Sequence, residues 1–316
     1  MDRGAQRWFA VVAALVLVLT TSGCRALLDH SDGRPTIGLA VANQQADFFN
    51  MIRQAVQAAA DKDGFRVVVA DAKGDGDTQV SQIQNFITQE VDAIIYIPAG
   101  ATAATVPVRD AKAAGIPIVA VDRNPAGAPA TTFIATDSVA AARDLGNYVI
   151  NVSKGRGVVG TVQGQLGTTP EMARDEGFTE ALKTAPGLTE AARQASQQWS
   201  QSEGFDIATD MLQAHPDITV LFGRADALAL GAASAARAAD RTDITVVGFD
   251  GDIAGLEAVR DGTIAATITQ QTYRMGALAV SSAKALIDGS DVPAEQLQKG
   301  LLTTRDNVSQ FLAKHP

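Results

Sequence analysis

Short apolar runs that alternate with longer amphipathic segments are the feature that most constrains the fold of this chain. The first four runs are rich in Val and Ile and show no polar alternation: Ile37–Val41, Val67–Ala70, Ala93–Ile97 and Ile116–Val121. Strands that are buried on both faces of a sheet have this composition. Between the runs, apolar residues recur at helical spacing, as at Phe49, Ile52, Val56 and Ala59. The pattern predicts parallel βα units.

The same alternation starts again after Thr136. It predicts helices and strands in the second half of the chain: helices Val139–Val152 and Glu171–Leu182, strands Val158–Val162, Ile218–Phe222 and Ile244–Phe249, and extended stretches Thr263–Gln270 and Leu301–Thr304. A chain of 316 residues is long enough for two domains at about 150 residues each. We therefore predict an α/β protein with two doubly wound, Rossmann-like parallel-sheet lobes that meet at a short hinge strand near Thr136.

The first residues have the features of an export signal. Arg3 and Arg7 precede an apolar run, Trp8–Leu19, which would span only about 18 Å as a helix and is too short for a membrane core of about 30 Å. Cys24 follows, and it is the only cysteine of the chain. We predict a signal peptide over residues 1–23 and a tether over residues 24–34.

The segment Ser22-Gly23-Cys24 resembles the lipid-attachment box of bacterial lipoproteins, although Thr21 stands where that family usually has Leu. The resemblance implies lipid attachment at Cys24. The chain would then be exported and anchored to the cell membrane, facing the periplasm or the extracellular side. A plain secreted protein is the alternative.

Charge and motif content argue against several classes of function. The net charge is −9, from 26 basic and 35 acidic residues, so the chain would repel nucleic acid. The segment 155–160 matches the glycine spacing of a dinucleotide site, but it leads into a strand instead of opening a helix. The three histidines lie far apart and suggest neither a triad nor a metal site. We expect no enzyme activity, no catalytic residue, no cofactor, no metal and no nucleic-acid partner.

Polar and aromatic residues follow the predicted strands. Ligands of open α/β sheets bind beyond the carboxyl ends of the strands. Those places hold the segments 43–49, 122–124, 163–171, 223–226 and 249–251, together with Gln270. Carboxylates accept hydrogen bonds from hydroxyl groups, arginines donate to oxygen atoms, and aromatic rings cover C–H faces. This set of side chains predicts a neutral, polyhydroxylated ligand.

Each of these residues also has a structural interpretation. Phe49 could belong to the core, and Asp122 with Arg123 could be a surface ion pair of little energetic weight. Asp226 could cap a helix that starts at Ala227. Asp250 could belong to a plain turn, whereas Trp199 lies in a polar stretch in which a core role is less natural. Taken together, the residues favour a binding site.

The motifs of the chain occur in the order and spacing of ribose-binding-protein-like periplasmic sugar receptors, the type I solute-binding proteins of sugar ABC transporters. Seven segments between Thr36 and Thr304 carry the resemblance: 46–49 (ADFF), 115–118 (GIPI), 121–123 (VDR), 173–178 (ARDEGF), 214–217 (AHPD), 227–232 (ALALGA) and 246–251 (VVGFDG). It implies two lobes joined by three crossings, a ligand in the cleft, a monomer, and delivery to an ABC transporter permease.

The predicted limits of the lobes follow from this plan. The first lobe would comprise residues 35–136 and 271–299, and the second 137–270 and 300–316. The ligand-binding residues that we predict come from matched positions and from the ends of strands: Phe48, Phe49, Asp122, Arg123, Trp199, Asp226, Asp250 and Gln270.

Four positions depart from the ribose receptors, which have hydrogen-bonding Asn or Arg where this chain has Ala46, Ile97, Met172 and Ala225. A polar ligand group left unpaired in a closed cleft costs about 1–3 kcal/mol, so ribose itself is disfavoured. Five side chains could compensate: Gln44, Gln45, Thr168, Thr169 and Glu171. We expect another pentose or a short linear sugar alcohol.

Other functions remain open for a chain of this fold. A sugar-responsive transcription regulator would need an N-terminal helix-turn-helix, and this chain has the export leader there. A signalling receptor would share the sugar-binding lobes. An enzyme acting on a sugar could use Asp122 and Asp250 as acid and base, although no nucleophile is visible in the sequence.

Overall fold

A computed structural model describes residues 33–101, 104–125 and 127–316. The predicted signal peptide and the proposed lipid-attachment residue Cys24 lie outside the described residues. Within the described part, no helix combines the length and the apolar character that crossing a membrane requires.

The described residues contain twelve strands and ten helices. In chain order these are β1 (Thr36–Val41), α1 (Asp47–Asp63), β2 (Arg66–Asp71), α2 (Gly76–Thr88), β3 (Ala93–Tyr96), α3 (Thr105–Ala113), β4 (Ile118–Val121), β5 (Thr132–Thr136), α4 (Ser138–Val152), β6 (Gly157–Gln163), α5 (Thr169–Leu182), β7 (Leu188–Ala195), α6 (Gln201–Ala214), β8 (Val220–Gly223), α7 (Asp226–Ala238), β9 (Thr245–Val247), α8 (Ile253–Asp261), β10 (Ala266–Thr269), α9 (Thr272–Ile287), β11 (Glu295–Gln298), β12 (Leu301–Thr304) and α10 (Val308–Ala313).

These strands form two six-stranded sheets. The first has the order β11-β5-β4-β3-β1-β2, and all its neighbouring strands are parallel. The second has the order β12-β10-β9-β8-β6-β7, and only its β10–β12 pair is antiparallel. The predicted fold, two α/β lobes with predominantly parallel sheets, is confirmed.

The chain passes between the lobes three times. It leaves the first sheet after β5, returns through α9 after β10, and leaves again between β11 and β12. The crossings lie side by side. The amide of Asp137 donates to the carbonyl of Gln298 at 2.8 Å, and the hydroxyl of Thr136 donates to the Gln270 side chain at 2.6 Å. They fall near the predicted limits of the lobes, which at the level of single residues stay a prediction.

Glycines allow close helix contacts in both lobes. A Cβ added at Gly204 of α6 would lie 2.5 Å from the carbonyl oxygen of Leu228 in α7. In the first lobe, a Cβ at Gly276 of α9 would lie 2.8 Å from the carbonyl oxygen of Ile52 in α1. Such distances leave no room for a side chain, so these helix pairs pack backbone to backbone.

Edge strands account for the main errors of the sequence prediction. The run Val67–Ala70 was expected to be buried on both faces, but β2 lies at the edge of its sheet and Val69 is 37% exposed. The edge strands β7 and β11 are largely polar and were not predicted. A strand at the edge lacks a neighbour on one side and is less covered, so an apolar run such as that of β2 does not guarantee burial, and polar strands such as β7 and β11 are tolerated there.

Candidate functional site

The carboxyl ends of both sheets face a cavity of about 230 Å³ between the lobes. Six of the eight predicted ligand-binding residues line it: Phe48, Phe49, Asp122, Arg123, Trp199 and Asp250. Clefts that hold drug-sized molecules measure about 300–1,000 Å³, so this cavity suits a smaller ligand.

The first lobe contributes an Asp–Arg pair that follows β4. Asp122 has φ +64°, a left-handed conformation that few residues other than glycine adopt. Its carboxylate lies 3.5 Å from Nε of Arg123, and both side chains are buried. The guanidinium of Arg123 also donates to the carbonyl oxygens of Pro98 and Ala99, at 3.1 and 3.3 Å. The strand end therefore holds both charges in place.

Two phenylalanines of α1 form the aromatic wall of the first lobe. The rings of Phe48 and Phe49 meet edge to face, with centroids 5.2 Å apart. The guanidinium of Arg123 lies 5.3 Å from the ring centre of Phe49. Both rings belong to the core as well as to the cavity wall, so the core interpretation of Phe49 is confirmed, and its contact with a ligand stays a prediction.

The second lobe contributes a matching pair that the sequence analysis found only in part. The carboxylate of Asp250, which follows β9, lies 3.1 Å from Nη2 of Arg174. Arg174 comes from α5 and lines the cavity, but it was not among the predicted site residues. It also donates to the carbonyl of Arg224 and lies 4.0 Å from the ring centre of Phe249.

Trp199 lies between the two arginines. Its ring is 5.8 Å from the guanidinium of Arg123 and 5.6 Å from that of Arg174. The ring lies directly over Gly164, where an added Cβ would be 1.8 Å from it. Among the described residues, Trp199 Nε1, Arg123 Nε and Arg174 Nε are buried polar atoms without a hydrogen-bond partner. These three N–H groups therefore keep hydrogen-bonding capacity that the described residues do not use.

Gln270 does not line the cavity but supports one of its carboxylates. Its side chain is fully buried, and Nε2 donates to Asp250 at 2.8 Å. Its Oε1 accepts from the hydroxyl of Thr136 at 2.6 Å. Since Thr136 ends β5 of the first lobe, Gln270 ties the Asp250 carboxylate to the hinge. Any contact with a ligand would be indirect.

Asp226 was predicted to bind the ligand, but the structure places it beneath the site. The side chain is fully buried and does not line the cavity. Its carboxylate accepts from the amides of Gly251 and Asp252, at 2.7 and 3.1 Å, and from the hydroxyl of Thr267 at 2.5 Å. The capping alternative is wrong, since α7 begins at Asp226 itself and Ala225 is its N-cap residue. Asp226 holds the loop that carries Asp250.

Glu171 likewise serves the structure of the site. It forms a buried ion pair with Arg224, with Oε1 at 2.5 Å from Nη1, and accepts from the amide of Gly164 at 2.8 Å. Gly164 is the residue over which Trp199 packs. Of the five side chains named as possible compensators, Gln45 alone is among the described residues that line this cavity.

The departures from the ribose receptors fall into two groups. Ala46 and Ala225 line the cavity, so polar contacts are absent from its wall at these two positions. Ile97 is fully buried in the core, and Met172 is 50% exposed outside this cavity. Only the first two departures therefore bear directly on a ligand in the cavity.

Burial and neighbouring charges set the acidity of the site. Burial raises the pKa of Asp122, against the opposing charges of Arg123 and Arg174. Burial raises the pKa of Asp250 to about 7, and Arg174 opposes this shift while Asp252 and Asp122 reinforce it. The carboxylates of Asp122 and Asp250, from opposite lobes, thus lie near enough for the charge of Asp122 to raise the pKa of Asp250.

Contacts across the cleft show that the lobes are closed on each other. The amide of Asn124, in the first lobe, donates to the hydroxyl of Thr169 in the second at 3.1 Å. Arg123 and Trp199 meet from opposite lobes. In the part of the chain that the structure describes, no cluster of three or more His, Cys, Asp or Glu residues is arranged to hold a metal ion.

The geometry defines a two-lobe solute receptor with a small interlobe cleft. Residues 37–291 match the family model described as periplasmic binding protein domain, so the chain belongs to that family. It is 30% identical to the ribose import binding protein of Escherichia coli over 285 residues, which cover 90% of this chain and 94% of that protein.

Two further comparisons concern other polyols. The chain is 29% identical to the xylitol-binding protein of Mycolicibacterium smegmatis, over 95% of this chain and 85% of that protein. An ABC transporter solute binding protein from Bacillus halodurans, solved with bound myo-inositol, superimposes with a TM-score of 0.84 at 28% identity, over 90% of this chain and all of that chain. The family resemblance inferred from the sequence is confirmed.

Asp250 should make the stability of the protein depend on pH. Its pKa is 3.8 in the reference state and about 7 in the folded protein, so the folded protein holds an additional proton between these values. The free energy of unfolding should therefore fall as the pH rises from about 4 to about 7, with a contribution from Asp250 on the order of 4 kcal/mol.

Urea denaturation at several pH values checks this. In Asp250→Asn the fall should be shallower than in the parent, whereas in Asp206→Asn, which changes an exposed residue of α6, it should equal the parent's. Equal pH dependence in the parent and Asp250→Asn would contradict the assignment of a raised pKa to Asp250.

Proposed function

We propose that this chain is an extracytoplasmic solute-binding protein that captures a neutral sugar or a short sugar alcohol between its lobes and delivers it to an ABC importer. The observation that carries the proposal is the presence of one buried Asp–Arg pair from each lobe at a single small cavity: Asp122 with Arg123, and Asp250 with Arg174.

The chemistry of the four groups suits a neutral ligand. In each pair the guanidinium offsets the carboxylate, so the pairs give an anionic ligand no net attraction, and Asp47 and Asp252 at the same cavity would repel it. Carboxylates accept from hydroxyl groups and guanidinium groups donate to ring or hydroxyl oxygens. Phe48 and Trp199 line the same cavity and supply aromatic faces for C–H groups.

The size and the polarity of the cavity narrow the ligand class. The cavity of about 230 Å³ favours a single sugar or polyol over an oligosaccharide. Ala46 and Ala225 remove polar contacts that ribose receptors have, so we propose a pentose other than ribose or a short linear polyol. The relative named for xylitol and the structure solved with myo-inositol support sugar alcohols as candidates.

The proposed location and partners follow from the family and from the N-terminal sequence. Members of the periplasmic binding protein family act outside the cytoplasm, which agrees with the leader over residues 1–23. We propose a lipid anchor at Cys24, a monomeric receptor, and an ABC transporter permease as the protein partner.

A ligand screen with pocket variants tests the binding function. We expect xylitol, another pentitol or a pentose to raise the melting temperature, because a ligand at 100 times its dissociation constant adds about 2.7 kcal/mol to stability. Asp122→Ala and Asp250→Ala should each weaken binding of that ligand by a hundredfold or more, since each leaves an arginine and ligand hydroxyls unpaired, at a cost of roughly 3 kcal/mol or more.

Titration calorimetry gives the affinities, and Trp199 fluorescence gives an independent signal from the cleft. Asp206→Ala, at an exposed position of α6, is the matched control and should bind as the parent does. If both pocket variants bind the ligand as tightly as the parent, the proposed site is wrong even though the family assignment stands.

The lipid anchor has its own test. Cys24→Ser removes the only thiol of the chain, so the variant should move from the membrane fraction to the soluble fraction when bacterial cells that express the full chain are fractionated. The parent and a Ser22→Ala variant should stay with the membrane. Membrane retention of Cys24→Ser would rule the lipid anchor out.

A further inference from the structure

The segment after α10 runs from the second lobe to the first. Val308 and Phe311 of α10 are buried in the core of the second lobe. Five residues after Phe311, the carbonyl oxygen of Pro316 accepts from the amide of Tyr273 at 3.0 Å. Tyr273 lies in the first turn of α9, and α9 packs on α1 in the first lobe. Residues 314–316, which we call the strap, thus bridge the lobes beside the three covalent crossings.

The side chain of His315 connects the strap to the ligand site. Its Nε2 lies 2.7 Å from the carbonyl oxygen of Gly251, and its Nδ1 lies 3.2 Å from Oγ1 of Thr272. A carbonyl oxygen only accepts, so Nε2 donates to Gly251, and Nδ1 shares a second hydrogen bond with the Thr272 hydroxyl. One imidazole therefore holds the loop after Asp250 and the first turn of α9 together.

The loop that His315 holds is conformationally demanding. Asp250 has φ +129° and Gly251 has φ +67°. A Cβ at Gly251 would lie 2.4 Å from Cα of Thr269, so the loop packs closely on β10. Its amides are fixed from one side by Asp226, and its carbonyl oxygen is fixed from the other side by His315. Backbone in such regions persists only when its surroundings hold it there.

Like charges meet on the same rim of the cleft. Asp47 begins α1 in the first lobe, Asp252 caps α8 in the second, and both line the cavity. Burial raises the pKa of Asp252, and the hydrogen bond from the Gly255 amide lowers it. The charge of Asp47 raises the pKa of Asp252 further, whereas a positive charge on His315 lowers it. Like charges at this rim disfavour close approach of the two lobes there, and His315 of the strap lies near enough to Asp252 for its charge to affect that carboxylate.

We propose that the strap is a latch, in which His315 positions the Asp250 loop and holds the lobes closed, so that it slows release of the bound sugar. The effect on release rests on the proposed sugar-binding function. The effect on the Asp250 loop is independent of the sugar, because His315 contacts only residues of this chain. His315 is a positioning residue, since it does not line the cavity.

Four variants separate this role from a general loss of stability. His315→Ala removes both contacts. His315→Gln keeps an N–H group near the position of Nε2 and should restore the bond to Gly251, whereas His315→Asn places its amide near Nδ1 and should not. Lys314→Ala changes the exposed neighbour in the strap and is the matched control.

Two measurements on the full chain decide the matter. Amide hydrogen exchange of the peptide that covers residues 249–256, without added sugar, should be faster in His315→Ala and His315→Asn than in the parent. The sugar dissociation rate, followed by Trp199 fluorescence with whichever of xylitol, D-ribose or myo-inositol binds the parent, should rise roughly three- to tenfold in the same two variants, as expected for one lost hydrogen bond. His315→Gln and Lys314→Ala should behave as the parent.

The latch is overturned if His315→Ala releases the sugar at the parent's rate, whether or not its amide exchange changes. It is also overturned if His315→Asn behaves like the parent in both measurements, as His315→Gln is expected to do. If the parent binds none of the three polyols and the wider screen finds no ligand, the proposed function fails. The exchange measurement alone then supports the latch if residues 249–256 lose protection in His315→Ala, and overturns it if they do not.

Discussion

Two buried Asp–Arg pairs are the interaction on which the site depends. A buried charge without a partner costs several kcal/mol, so each carboxylate must stay with its guanidinium and each guanidinium must be held in turn. In the first lobe the carbonyls of Pro98 and Ala99 hold Arg123. In the second lobe the carbonyl of Arg224 holds Arg174, and Gln270 holds Asp250. Backbone carbonyls and one buried amide thus hold the four charged side chains at the cavity, where hydroxyl groups of a neutral ligand could bond to them.

The fold brings these pairs together from opposite sides. Asp122 follows β4 of the first sheet and Asp250 follows β9 of the second, and the carboxyl ends of both sheets face the cleft. The three crossings keep the sheets adjacent, and Thr136 is hydrogen-bonded to the Gln270 side chain that supports Asp250. The buried side-chain amide of Gln270 therefore links Thr136 at the hinge to the Asp250 carboxylate of the site, so a movement of the hinge would change the position of that carboxylate.

The features that the sequence predicted correctly are those that depend on a local pattern of residues. Central strands are apolar on both faces, so their ends could be located, and with them Asp122, Arg123 and Asp250. Trp199 was singled out because it lies in a polar stretch, where a core role is less natural. Arg174 was missed because it lies within a helix, where no strand end marks it as facing the cleft. The structural role of Asp226 depends on backbone amides of Gly251 and Asp252, about 25 residues away, and such long-range pairings leave no local signal.

A double-mutant cycle tests most directly whether one ligand is held by both pairs at once. Binding free energies of the best ligand are measured by calorimetry for the parent, Asp122→Asn, Asp250→Asn and the double variant. Loss of either pair prevents full closure of the lobes on the ligand. The second substitution should therefore reduce the binding free energy by at least 1 kcal/mol less in the variant that carries the first than in the parent. This difference is about twice the usual departure from additivity for independent sites. Effects that add to within about 0.5 kcal/mol would contradict joint capture by the two lobes.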